Sequence, residues 1–135
     1  MRAATAMLAN AAEVREGLLY VLGGGIEQLL VGEVPAEVAP TVVVIVDLDD
    51  GELGRPFTPH LRVESDAGDV LVDVDMPPAV PEPQVPDAGA SHRFPMVFTV
   101  GMRVLAQGPH LLTVSVDGTD LAQAAFAVRL AGQPS

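Results

Sequence analysis

The chain has 135 residues, 49% of them apolar, with 18 acidic residues, seven arginines and neither lysine nor cysteine. Its formal net charge of −11 repels phosphate backbones and anionic lipids, so we expect no nucleic-acid partner and no membrane partner. The lack of cysteine excludes disulfides, thiolate metal sites and a cysteine nucleophile. The length fits one domain over residues 1–135. The N-terminal apolar stretch could be mistaken for a signal peptide, but it is weak and is interrupted by Asn10, and no segment is long enough to span a membrane, so we expect a cytoplasmic protein.

The first 40 residues have an ambiguous pattern. Over residues 3–16 the alanines, with Met7 and Leu8, fit both a helical stripe and a strand alternation. We favour a strand over residues 4–9, followed by a short turn over residues 11–15. The apolar runs 18–22 and 26–31 then predict two further strands.

Three consecutive glycines, Gly23 to Gly25, separate those two runs. A phosphate-binding loop needs a following lysine and a helix, and this chain has no lysine. Glu27 also lies close enough to repel a phosphate group. The glycines therefore predict a bulge or a tight bend between two strands.

From residue 41 onward the pattern is typical of strands. The run TVVVIVDL, residues 41–48, is continuously apolar and predicts a central strand covered on both faces. Later segments alternate between apolar and polar residues, with turn sequences at 66–69 and 117–120. The alternating segments are 60–65, 69–76, 93–101, 110–116 and 121–130.

The segment 69–92 combines an alternating strand with a proline-rich stretch. In the segment 69–76, alternation directs Val70, Val72, Val74 and Met76 inward and leaves Asp73 and Asp75 outward. Residues 77–92 hold five prolines and predict an extended crossover loop between two sheets. Together the eight or nine strands predict an all-β fold, an antiparallel β-sandwich of the immunoglobulin-like or C2-like Greek-key type.

The opening TAMLANAAEVREGLLYVLGGG resembles the start of an uncharacterised bacterial family, a domain-of-unknown-function group. The resemblance rests on a turn at Asn10-Ala11-Ala12, on the pair Gly17-Leu18 and on the motif Leu22 to Gly25. The ending GPHLLTVSVDGTDLAQAAFAV is similar to the closing hairpin of that family. The resemblance implies a β-sandwich, and it implies no assigned activity and no catalytic residues.

Acidic side chains supply one candidate site. The loop DLDDGELG contains Asp47, Asp49 and Asp50, but its spacing does not fit an EF-hand calcium loop. A β-sandwich can still bind calcium through its loops, and Asp73 and Asp75 are available to join such a site. The sequence therefore leaves open a calcium-modulated binding module, with a solvated acidic loop as the alternative.

Other chemistry has weaker support. His60, His92 and His110 would form a zinc site only if the fold brought them together. Ser65, Ser91 and Ser115 lack the G-x-S-x-G elbow of a hydrolase, although Asp73 and Asp75 form a carboxylate pair about 7 Å apart along one strand. A small hydrolase is therefore the less favoured alternative.

The sequence favours a protein that is not an enzyme and holds no cofactor. We expect an interaction or structural module that contacts a protein partner, or another copy of itself, through sheet edges or the proline-rich loop. Which partner or ligand it binds is not encoded in any motif of the chain.

Overall fold

The computed structural model describes residues 1–16, 18–81 and 92–132, without the side chains of Ala3 and Ala4. The fold is all-β, as predicted. The only helical element in the described residues is a short 3₁₀ turn at Asp50–Glu52, and none of their helices is long and apolar enough to cross a membrane. The strands are β1 Arg2–Arg15, β2 Leu18–Gly24, β3 Gln28–Val31, β4 Ala36–Val38, β5 Thr41–Leu48, β6 His60–Ser65, β7 Val70–Asp75, β8 His92–Thr99, β9 Met102–Val104, β10 Gly108–Val116 and β11 Thr119–Leu130.

These strands form two large sheets and one small one. The first sheet has the order β2-β1-β5-β8, the second has the order β3-β11-β10-β6-β7, and β4 pairs with β9 separately. Side chains from both large sheets meet in one apolar core, which contains Leu8, Val44 and Met96 from the first sheet and Leu61, Leu112 and Phe126 from the second. Burial of this apolar surface is the main stabilising contribution.

Strand β5 lies inside the first sheet, between β1 and β8, as its continuous apolar run predicted. Val42 and Val44 point into the shared core, whereas Val43 points to the opposite face of the sheet and is nevertheless fully buried. The cross-strand neighbours of Val43 are Met7 and Val97, which lie on the same face.

The prediction for residues 3–16 was partly wrong. The segment is a strand, but it runs without a break from Arg2 to Arg15, so the turns expected at residues 11–15 and at Asn10-Ala11-Ala12 are absent. Its first half pairs with β5 and its second half pairs with β2. Because a partner strand lies beside each half of β1, the backbone hydrogen bonds of the sheet override the helical preference of the alanines.

The strand expected over residues 26–31 is shorter and has a different direction. Strand β3 begins at Gln28 and lies parallel to β11, so the prediction of a purely antiparallel fold is wrong at this pair. The glycines move the chain from the first sheet to the second, and the amide of Ile26 donates to the carbonyl of Leu8 over 3.0 Å at that crossing. A connection between two sheets does not impose the antiparallel direction that a hairpin imposes.

Two inward assignments in β7 were also wrong, since Val70 and Val74 are both 46% exposed. Val72 is buried and lies opposite Val63, but the register shifts between Val63 and Glu64, so Val70 pairs with Glu64. The extra residue of this bulge is Leu71, which packs against the core while Val70 is exposed. Period-two alternation cannot reveal a bulge, since the bulge interrupts that alternation.

Two short strands, β4 and β9, were not predicted, because three residues are too few to show an alternation. The proline-rich segment 77–92 leads from β7 in the second sheet to β8 in the first, as expected of a crossover. Phe57 and Ala79 exchange backbone hydrogen bonds at the start of this segment. The expectation for residues 82–91 lies outside the described residues.

Candidate interaction surface

The distal half of β1 and the whole of β2 form a hairpin arm, residues 10–24. Five of the ten exposed large apolar side chains in the described part of the chain lie in this arm, namely Val14, Leu18, Tyr20, Val21 and Leu22. None of the described arm residues belongs to the core or packs against it. Since the arm is only about a ninth of the chain, apolar exposure is concentrated there.

Within the arm, strand β2 is apolar on both faces, whereas β1 carries Glu13 and Arg15 on the face of Tyr20 and Leu18. Alternation places Leu18, Tyr20 and Leu22 on one face of β2 and Leu19 and Val21 on the other. Tyr20 is 51% exposed and Leu22 is 71% exposed. A surface hollow of 580 Å³ lies along the arm, with Leu19, Tyr20 and Leu22 in its lining. A contiguous exposed apolar patch of this kind is typical of a contact surface.

The glycine bend fixes where the arm ends. Gly23 has φ of +64° and Gly25 has φ of +74°, a left-handed conformation that other residues rarely adopt. A Cβ atom at Gly23 would also lie only 2.6 Å from Nδ2 of Asn10. The prediction that these glycines form a bend between two strands is confirmed.

Beyond the arm, the outer face of the first sheet carries three successive cross-strand rows without a charge. The middle row is Met7, Val43 and Val97, and the rows beside it pass through Ile45 and Thr41. Charged side chains return only at Asp47 and its row neighbours, and at Glu13 and Arg15 in the arm. The uncharged rows therefore continue into β2, whereas Glu13 and Arg15 of β1 carry charge on the same face of the arm.

The two large sheets have four edge strands, and β2 differs from the other three. Strand β8 carries Arg93 and Pro95, and β7 carries Asp73 and Asp75. Strand β3 is only four residues long. Charge, proline and short length are the usual means by which an edge is kept from pairing with another chain. Strand β2, with the sequence LLYVLGG over seven residues, has none of them.

The outer face of the second sheet is charged instead. His60 Nδ1 lies 2.8 Å from Oδ1 of Asp75, and His60 Nε2 lies 2.5 Å from Oδ1 of Asp73. Arg62 Nη1 donates to Oδ2 of Asp73 over 3.4 Å. The hydrogen bonds to Asp75 and to Asp73 raise the pKa of His60 above its usual value. Opposite charges facing each other across β6 and β7 support the pairing of these strands.

The calcium candidates do not converge. Asp73 and Asp75 lie on β7 in the second sheet, whereas Asp47 ends β5 in the first sheet and Asp49 and Asp50 begin the 3₁₀ turn. Asp50 accepts a hydrogen bond from His92 over 2.6 Å, and Asp73 and Asp75 contact His60. Within residues 1–16, 18–81 and 92–132, no three acidic or histidine side chains are arranged to hold a metal ion.

The three histidines also occupy separate places. His60 lies on the outer face of the second sheet, and His92 lies at the start of β8 in the first. His110 is buried on the inner face of β10, where its ring stacks on Phe126 and its Nδ1 donates to the carbonyl of Gly108 over 2.8 Å. The fold therefore does not bring His60, His92 and His110 together as zinc ligands.

Ser115 is the serine nearest to a catalytic arrangement. It lies opposite His60 across β10 and β6, and His60 in turn contacts Asp75. However, the second ring nitrogen of His60 contacts Asp73, so neither nitrogen is free to accept a proton from Ser115. Ser65 accepts a hydrogen bond from the amide of Asp69 in the β6–β7 turn, and Ser91 lies outside the described residues.

Sequence reasoning identified the β2 run as a strand and missed that it is exposed. The pattern LLYVL is as apolar as a core strand, and only the size of the opposing sheet determines whether such a strand is covered. No local signal marks the exposure, since an uncharged apolar run is equally typical of a buried strand.

Comparison with known families gives one match. Residues 4–129 match a family of unknown function, DUF6941, so the chain belongs to that family. The resemblance to an uncharacterised family is thereby confirmed, although the match itself carries neither a fold nor an activity. No curated protein matches the chain.

Proposed function

We propose that this protein is a non-enzymatic module that binds a protein partner through the β1–β2 arm. The observation that carries the proposal is the exposure of Leu18, Tyr20 and Leu22 on an edge strand that contributes nothing to the described core. Apolar side chains exposed in this number on one short element are stabilised when a partner removes them from water.

The partner should offer an extended segment without strong charge. An edge strand binds such a segment by continuing its backbone hydrogen bonds, and the side chains beside it supply the apolar contact. Nucleic acid is an unsuitable partner, because the net charge of −11 repels phosphate and the arm holds only one cationic side chain, Arg15.

We further infer a cytoplasmic protein with an immunoglobulin-like or C2-like Greek-key sandwich. The shared core of the two large sheets and the chain crossing between them after β3 and after β7 support this architecture. The calcium alternative stays a prediction, and a calcium titration that leaves the melting temperature unchanged would remove it, since a bound ion must stabilise the folded state.

Site-specific photo-crosslinking in the native host tests the binding proposal. A photoreactive residue at Tyr20 is compared with the same residue at Val74, which lies on the protected edge strand β7 and is 46% exposed. We expect crosslinks to a protein at position 20 that are absent at position 74. We also expect the crosslinked complex to form again when its purified components are mixed. Equal or absent crosslinking at the two positions would contradict the proposal.

A further inference from the structure

We propose that the arm is covered by a second copy of the same chain, with the two β2 strands paired antiparallel about a two-fold axis at Tyr20. This inference rests on the proposed function, since it names the partner of the same surface. It commits to one register and is therefore open to direct test.

Backbone chemistry favours this arrangement. Among residues 1–16, 18–81 and 92–132, strand β2 pairs with β1 alone, and its other side presents amide and carbonyl groups without a partner there. Two antiparallel copies satisfy these groups mutually, since each strand offers the other the same pattern in reverse. The result is one continuous sheet with the order β8-β5-β1-β2 followed by its symmetric copy.

The side chains of β2 match each other in the proposed register. Tyr20 lies opposite Tyr20 of the second copy, and Leu18 lies opposite Leu22, with all of these side chains on the outer face. On the other face, Leu19 lies opposite Val21. Cross-strand aromatic and aliphatic pairs of this type stabilise a sheet, and no large apolar residue of the strand is left without a counterpart.

Charge and length favour a second copy over a different edge. Within the described chain, the edges β7 and β8 carry Asp73 and Arg93, and the uncharged edge β3 has only four residues, so none of them offers β2 a neutral counterpart of equal length. Strand β2 itself is uncharged, so two copies meet without an unpaired charge at the contact. The net negative charge of each copy repels the other copy, and salt screens that repulsion. Association should therefore strengthen as salt is added.

Cysteine crosslinking tests the register in a chain that has no native cysteine. Opposed residues in an antiparallel pair have Cα atoms about 4.5–5.5 Å apart, a separation that a disulfide can bridge. We expect Tyr20→Cys to form a covalent dimer under mild oxidation. Leu18→Cys, on the same strand but away from its own copy in this register, and Val74→Cys, on the charged edge β7, should remain monomeric.

Sedimentation equilibrium supplies the second measurement, with circular dichroism as a check that each variant is folded. Tyr20→Asp places two carboxylates face to face and should weaken dimerisation by more than about 100-fold. Val74→Asp should leave dimerisation unchanged.

The outcomes separate the two proposals. A wild-type chain that stays monomeric, with Tyr20→Cys no more reactive than Val74→Cys, overturns the second copy as the partner. If position 20 still crosslinks a different protein in the host, the binding proposal survives that result. If position 20 shows no contact in either experiment, both proposals are wrong.

Discussion

Strand β2 is an edge strand of the first large sheet and β7 is an edge strand of the second, and both expose apolar side chains. Tyr20 on β2 and Val74 on β7 are exposed to a similar degree, 51% and 46%. On β7, Asp73 and Asp75 flank Val74 and are held by His60 and Arg62 on the neighbouring strand. On β2 no charge is present. The comparison teaches that exposure alone does not distinguish these two edges, whereas edge protection by charge does, and our proposal for β2 rests on that difference.

The largest effect should come from making β7 resemble β2. The double substitution Asp73→Val and Asp75→Val removes both protecting charges, leaves His60 without its two acidic partners and leaves Arg62 with Glu64 alone. We expect higher oligomers or precipitation at concentrations where the wild type is soluble, measured by light scattering after size-exclusion chromatography.

The control for this double variant removes the same number of negative charges without altering an edge strand. Asp117→Asn with Asp120→Asn changes the turn between β10 and β11, and β10 lies inside the second sheet. This variant should remain soluble. If both double variants aggregate alike, net charge rather than edge protection keeps the protein in solution.

The next prediction compares the loss of folding stability at a core leucine with the loss at an arm leucine. Leu112 is fully buried, so Leu112→Ala should lower the free energy of unfolding by about 2–5 kcal/mol. Leu22→Ala should change it by less than about 0.5 kcal/mol when measured in the Tyr20→Asp background, which keeps the chain monomeric. Urea unfolding measures both values, and a large loss at Leu22 would show that the arm packs against the fold after all.

A smaller effect is expected at the bend that ends the arm. Gly23→Ala should lower the free energy of unfolding by about 1–2 kcal/mol, because its left-handed backbone disfavours a Cβ atom and Asn10 occupies the space. Gly101→Ala is the matched control, since that glycine has no positive φ and no neighbour that a Cβ would meet. Equal effects in thermal unfolding at the two positions would mean that the bend is not constrained.

The smallest effect concerns pH and the charged edge. Because the folded state raises the pKa of His60, its ion pairs with Asp75 and Asp73 contribute fully below the unfolded pKa of about 6.5 and are lost as pH rises through the folded value. These pairs are solvent-exposed, so we expect a contribution of no more than about 1 kcal/mol.

The wild type should therefore exceed His60→Gln in stability near pH 6, and the difference should shrink toward about pH 8.5. Melting temperatures across this range measure it. A difference that stays constant or grows with pH would contradict the assignment of His60.

Much of the architecture followed from the alternation of apolar residues, because burial of one sheet face imposes that pattern directly. The alternation of segments 60–65, 110–116 and 121–130 agrees with the burial of Leu61, Leu112 and Phe126. The continuous course of β1 was not predicted, since its alanines satisfy a helix and a strand equally and only the positions of β2 and β5 determine the outcome. The parallel direction of β3 likewise depends on a distant strand, β11.

The candidate surface was harder to predict for a related reason. The run LLYVL of β2 has the composition of a core strand, and no local feature records that the second sheet leaves it uncovered. The contacts of His60 with Asp73 and Asp75 depend on the register of β6 against β7, which the sequence alone does not determine.

The most direct measurement of the central claim is amide hydrogen exchange at increasing protein concentration. If β2 is a contact edge that a second copy covers, its outward amides, such as those between Leu18 and Leu22, become protected as concentration rises, while those of β7 do not change. If exchange from β2 is independent of concentration and matches that of β7 throughout, the arm is not covered by a second copy and the central claim is wrong.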